Sequence, residues 1–191
     1  METLEAPYLL LAAPELQDPN FEHTVVLVGH HTLEGAIGWI VNRVLEEKAT
    51  GLLPEPLARS LNERTPLRLG GPVLTNGLIV VHQSEVPGVE SVQMAPGVRV
   101  SASPDVLPAL FGKDQPEASE SGIVKGLLVF GYAGWGPGQL EKEMEDGSWL
   151  VLPYEVAFAF PRDANALWER ALARLGVRPE AVASPPSSAV N

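Results

Sequence analysis

Cysteine is absent from the 191 residues. That excludes disulfides, thiolate metal sites and cysteine nucleophiles. Long apolar runs are absent too. Tyr8 to Ala13, near the start, is too short to span a bilayer. Glu2 and Glu5 precede it, where a signal peptide carries lysine or arginine. A cytoplasmic location without a membrane anchor is expected. Positive charge is scarce: 13 Lys and Arg stand against 24 Asp and Glu, a net charge of −11. Nucleic-acid binders take much of their affinity from neutralising phosphates. The nearest thing to a basic stripe, Arg170, Arg174 and Arg178, is interrupted by Gly176 and followed by Pro179. Direct nucleic-acid binding is therefore disfavoured. No GxGxxG is present, and no GK[ST] follows Gly70-Gly71-Pro72. Ser60, Ser84, Ser101 and Ser103 lack a nucleophile-elbow context. No cofactor is expected, and there is no internal repeat.

What is present is enough for a sizeable core, since 45% of the residues are hydrophobic. The expectation is one domain over 1–176, followed by a flexible tail, 177–191, that ends SPPSSAVN. Strands are expected at Tyr8 to Ala13, Thr24 to His31 and Ala36 to Asn42, the last two forming an antiparallel hairpin. Pro54 or Pro56 opens a helix to Asn62. Leu67 to Leu69 is a short strand. Asn76-Gly77 sits between VLT and LIVVHQ, which predicts a second hairpin, Pro72 to Thr75 against Leu78 to Gln83. Val92 to Met94 and Val98 to Ser101 read as strands. Ser103 and Pro104 start a helix to about Phe111. Trp149 to Leu152 continues the strand pattern, and Arg162 to Leu175 is the last helix, with Gly176 beyond it.

The most distinctive stretch is Ile123 to Leu150. An apolar strand, Ile123 to Phe130, leads into GYAGWGPG and then a helix, Gln139 to Asp146. Gly131, Gly134, Gly136 and Gly138 mark backbone that takes φ > 0 or approaches another segment closely. Trp135 in their midst implies a ring anchored by packing. Within the helix, Glu141 and Glu143 favour its positive end, and Lys142 pairs with Asp146 at i,i+4.

Few residues suit chemistry. His30 and His31 point to opposite faces of a strand, so they do not converge on one metal. His82 ends a strand, as a general base or as a hydrogen-bonded strand-end residue. Asn42 and Arg43 follow a buried strand; the arginine either meets an anion or is solvated at a turn. The candidate binding residues are Asn42, Arg43, Gly70, Gly71, His82, Gly131, Gly134, Trp135 and Gln139. No catalytic residue and no metal ligand is assigned.

Several segments, in order, carry a family resemblance: PELQDPNF with HTVVLV, EGAIGWIVNR, LGGPV followed by VVHQ, SASPDVL, FGYAGWGPGQLEKE with SWL, and LWERALARLG. Over roughly Ala6 to Gly176 the chain resembles the bacterial YqgE/AlgH family. Val44 departs from the pattern, which often has proline there. The resemblance implies a mixed α/β fold: a branched, mostly antiparallel sheet curled into a partial barrel with flanking helices. Some members carry the label of transcriptional regulator. The favoured reading is a non-catalytic regulatory protein that binds an unidentified small molecule or protein. The alternative is a small-molecule enzyme with a cleft near His82, Arg43 and the Gly131–Gly138 turn. If these three regions meet in space, the alternative gains; if they are scattered, the first reading holds.

Overall fold

The computed structural model describes residues 4–46 and 49–178. The expected flexible tail lies outside them, apart from Val177 and Arg178. The elements in chain order are β1 (Tyr8–Ala12), β2 (Val25–Thr32), β3 (Gly35–Ile40), α1 (Ala49–Leu52), α2 (Glu55–Ser60), β4 (Leu67–Leu69), β5 (Val73–His82), β6 (Val92–Ala95), β7 (Val98–Ser101), α3 (Val106–Phe111), β8 (Gly126–Trp135), α4 (Gln139–Glu145), β9 (Trp149–Pro153), α5 (Val156–Ala159) and α6 (Leu167–Arg174).

The nine strands form one sheet in the order β6-β7-β5-β8-β3-β2-β1-β9, with β4 joined to β8 off that path. All pairs are antiparallel except β4 with β8. The sheet curls into a half-barrel with helices around it, the mixed α/β architecture expected. β1 is buried at every position, as its unbroken apolar run requires. Leu9 and Leu11 face a cluster with Trp39, Leu167, Trp168 and Leu172. Tyr8, Leu10 and Ala12 face the other side, with Trp135, Leu140 and Trp149. A third cluster packs α3 over β4, β5 and β8, through Val106, Leu110 and Phe111 on Leu67, Val80 and Leu128.

The sheet forks beside β8. At its C-terminal end β8 pairs with β3, Ala36 opposite Trp135 and Gly38 opposite Ala133. Further back the same edge pairs with β4, Leu67 opposite Leu128. The chain beyond β3 then pairs with the outer edge of β4. Leu69 N–H donates to the Arg43 carbonyl, and Leu45 N–H to that of Leu67. Gly70 stands in the crotch: its carbonyl accepts from Ile40 N–H at 2.8 Å, and its N–H donates to Phe130 at 2.7 Å.

The hairpin of β2 and β3 forms as expected, with Thr32 opposite Gly35. The second expected hairpin does not. Val73 to His82 is one strand, and both of its ends pair with β8, Val73 opposite Tyr132 and Leu78 opposite Phe130. Residues 74–77 bulge out between those pairs. Leu74 takes the left-handed turn at φ 49°, and Gly77 is not among the glycines with positive φ, as a type I′ turn requires. VLT offers only three residues to a hairpin, whereas β8 offers ten to the whole strand. Two boundaries also move. The apolar strand begins at Gly126 and runs through Gly131 to Trp135, so the turn shrinks to residues 136–138. The last helix begins at Leu167 rather than Arg162, after Ala166 at φ 51°. At α3, Ser103 Oγ accepts from Asp105 N–H, and the helix starts at Val106.

Candidate functional site

The candidate glycines hold the sheet together. Gly131, at φ 73°, interrupts β8. Before it, Leu127 and Val129 face the α6 side; after it, Tyr132 does. Ala133 and Trp135 consequently turn to the α4 side. One left-handed residue thus reverses the strand's alternation and delivers Trp135 to α4. A β-carbon on Gly131 stands 2.6 Å from the Gly71 carbonyl oxygen and 2.9 Å from that of Val73. One on Gly71, at φ 152°, runs into the Tyr132 backbone, and one on Gly70 into Val129. Gly134 lies against the Tyr132 ring.

Trp135 is anchored as expected, with 6% of its surface exposed. Its Nε1–H donates to Glu143 Oε2 at 2.9 Å, and Trp149 Nε1–H donates to the same oxygen at 2.8 Å. Phe21 packs on both indoles, with ring centroids 6.2 and 5.4 Å away. Gln139 closes the turn: its Oε1 accepts from Gly136 N–H, and its Nε2–H donates to Glu143 Oε1. The Lys142–Asp146 pair forms at 2.7 Å.

Asn42 and Arg43 clamp the loop before β2. Asn42 Oδ1 accepts from Val25 N–H, and its Nδ2–H donates to the His23 carbonyl. Arg43 donates to the carbonyls of Asn20 and Pro19. His82 is fully buried opposite Gly126, at the other end of β8 from Trp135. Nine residue steps along the strand separate those ends, about 30 Å at the usual strand rise. Of the three regions whose meeting would favour the enzyme reading, His82 is thus set apart from Trp135, whereas the Arg43 backbone pairs with Leu69, which lies opposite Phe130.

His82 Nδ1 donates to the Ser84 carbonyl at 2.8 Å, since a carbonyl only accepts. Nε2 is thus an acceptor, and it has no partner among the described residues. Burial lowers the pKa of this histidine from 6.5; the Ser84 bond opposes that, and Arg99 adds to it. The unfolded chain therefore takes up a proton before the folded one. Stability from this residue is full above pH 6.5 and declines as pH falls below it. His82→Leu should reduce the drop in urea midpoint between about pH 7.5 and about pH 5.5, either side of the ordinary histidine value. An undiminished drop assigns it to other groups.

His30 is exposed and His31 buried, as their opposite orientations imply. Tyr8 Oη lies 2.7 Å from His31 Nδ1, and His31 Nε2 lies 3.2 Å from Glu141 Oε1. This chain of three has the connectivity of a catalytic relay. Its terminal hydroxyl, however, belongs to a tyrosine only 4% exposed, whose pKa burial and Glu141 both raise. It ties α4 to β1 and β2.

The feature sequence reasoning missed is Arg68, at the centre of the three-residue strand LRL. It is 2% exposed. Nε donates to the Val41 carbonyl at 2.7 Å, Nη1 to Leu67 at 3.0 Å and Nη2 to Pro161 at 3.2 Å. All three acceptors are backbone oxygens, which satisfy the donors without neutralising the charge. Burial lowers its pKa to about 10, and Asp163 pulls it back up. Arg68 lines an open cleft of about 540 Å³ between the β3–β4 pairing and residues 162–165. Arg64 and Arg162 stand on its walls, and Leu67 and Val124 contribute apolar surface. The one legible signal was a charge between two leucines in an otherwise apolar strand.

Fold and cleft together define a forked-sheet α/β half-barrel protein with an arginine-bearing cleft beside the fork. The chain belongs to the AlgH-like family, whose model matches residues 9–180. A UPF0301 protein of Photobacterium profundum is 34% identical over 179 residues, covering 90% of this chain and 92% of that one. A UPF0301 protein of Caulobacter vibrioides is 36% identical over 177 residues, covering 88% and 86%. The solution structure of AlgH from Pseudomonas aeruginosa is 31% identical and matches at a TM-score of 0.68, over 90% of this chain and 89% of that one. A Corynebacterium diphtheriae crystal structure, 21% identical, shares the fold at a TM-score of 0.64, over 91% and 90%. Among the described residues, no helix is long and apolar enough to cross a membrane.

Proposed function

We propose that the protein is a non-catalytic binding protein with a regulatory role, engaging a small molecule or a protein partner. The observation that carries this reading is where the polar candidates direct their hydrogen bonds. Asn42 and Arg43 bind backbone carbonyls and an N–H of the β2 loop region. Gln139 and Trp135 converge on Glu143. His82 points into the core. A catalytic set needs a nucleophile, a base and an orienting group around one open space. These residues stand apart and hold the scaffold. The enzyme reading required His82, Arg43 and the glycine turn to meet, and the place of His82, buried opposite Gly126 at the far end of β8 from Trp135, counts against it.

Turnover assays with p-nitrophenyl esters and phosphates should give rates equal to the buffer blank. Turnover removed by His82→Leu or Arg43→Gln would overturn the reading. Regulation through a partner is favoured over direct DNA contact by the net charge of −11. Fluorescence anisotropy with a random DNA duplex should show no micromolar binding at physiological salt. Tight binding that weakens steeply with salt is the contrary result.

A further inference from the structure

We infer that the cleft beside β4 is a binding site for a small oxyanion, carboxylate or phosphate, with Arg68 as its fixed charge and Arg64 and Arg162 as movable arms. The inference rests on the binding-protein reading above and names the ligand class. Three of the five N–H groups of Arg68 go to backbone carbonyls, leaving two. Its side chain is braced on its own strand and on two other segments, at Val41 and Pro161, so its position does not depend on a ligand. A buried cation is costly unless an anion faces it. Among the described residues no carboxylate bonds to this one; Asp163 acts on it only at longer range.

The two arms are engaged by a carboxylate of the chain itself. Glu117 Oε2 accepts from Arg162 Nη2 at 2.7 Å and from Arg64 Nη1 at 3.4 Å. That single oxygen spans guanidiniums 53 and 45 positions away along the chain. Glu117 does not itself line the cleft, but it holds the two arms that do, by donors a ligand oxyanion would also use. Both arms are substantially exposed, at 69% for Arg64 and 47% for Arg162, and so are free to exchange partners. Arginine is suited to that exchange, since its planar fork presents parallel donors to carboxylate or phosphate. Glu46, Glu63 and Asp163 also line the cleft. Three carboxylates balance three guanidiniums, so the cleft has no net positive charge to hold an extended polyanion such as a nucleic-acid backbone. A small anion placed against Arg68 needs only the local positive charge there.

Glu117 therefore competes with the ligand, and substitutions on the two sides of the pair have opposite signs. The probes are inorganic phosphate and succinate, titrated into the full-length protein at constant ionic strength. Binding is followed by calorimetry and by the arginine Nε–H signals in ¹⁵N spectra. Saturable binding of at least one probe is expected, shifting the Arg68 signal, and the stronger probe identifies the oxyanion type. Arg162→Gln should weaken it about tenfold, the effect of one charge-assisted hydrogen bond. Glu117→Gln should tighten it several-fold by releasing both arms. Neither position lies in the core, so these variants carry the test if Arg68→Met fails to fold. Absence of saturable binding by both probes overturns the inference. So does binding that Glu117→Gln and Arg162→Gln leave unchanged. Either failure removes the oxyanion site and leaves the binding-protein reading to the turnover assays.

Discussion

Gly131→Ala should destabilise the fold by about 3 kcal/mol, the upper end of the range for a residue held in a disfavoured backbone region. Two effects combine there. The residue sits at φ 73°, where a side chain is strained whatever the space around it. Its new β-carbon also meets two carbonyl oxygens, those of Gly71 and Val73, at 2.6 and 2.9 Å. Both are backbone atoms of the fork and cannot swing aside. The neighbouring glycines separate the effects. Gly138 has φ 71° but open space around it, so alanine should lose only about 1–2 kcal/mol there. Gly136 has neither positive φ nor a close contact, so alanine should fall within about 0.5 kcal/mol of the parent. Urea melts of the three variants with unchanged m-values are the measurement. Equal losses at 131 and 136 would mean that the reversal of β8 at Gly131 contributes nothing.

Much of this fold was legible, and the misses share a cause. β1, β2, β3 and β7 declare themselves by apolar or β-branched content. The turn glycines marked one essential left-handed position and the tryptophan among them. Local turn chemistry misled at Asn76-Gly77, because β8 supplies a longer ladder to both flanks than either flank offers the other. A pairwise rule for adjacent segments cannot see a third strand. The same limit hid the fork: Gly70-Gly71 reads as a loop until β3, β4 and β8 converge on it. Arg68 was hidden for a different reason. A single arginine in a short strand carries no spacing signal, and its meaning comes from Val41 and Pro161, brought to it by the fold. The candidate polar residues were correctly expected at turns and strand ends. Their common purpose, holding one segment to another, depends on partners far away in sequence.

Trp135→Ala should lose about 3–5 kcal/mol, the range for removing a large buried aromatic side chain. The ring fills the space between Phe21, Trp149 and α4. Removing it opens a cavity whose walls belong to a strand, a loop and a helix, which cannot close on it together. The polar side of the same site tests whether the indole N–H also matters. Glu143 Oε2 serves both Trp135 and Trp149, so Glu143→Ala strands two indole donors at once, while the exposed Gln139 amide turns to water. A loss of about 2–3 kcal/mol follows from leaving buried donors without an acceptor. Trp135→Phe keeps most of the ring and removes one donor, so it should lose less than Trp135→Ala. Combined with Glu143→Ala, it should lose less than the sum of the two single changes, because the donor stranded by the first variant is gone in the second. Chemical denaturation of the two singles and the double gives the coupling directly. Strict additivity would show that the shared carboxylate contributes nothing through Trp135, and that the indole is held by packing alone.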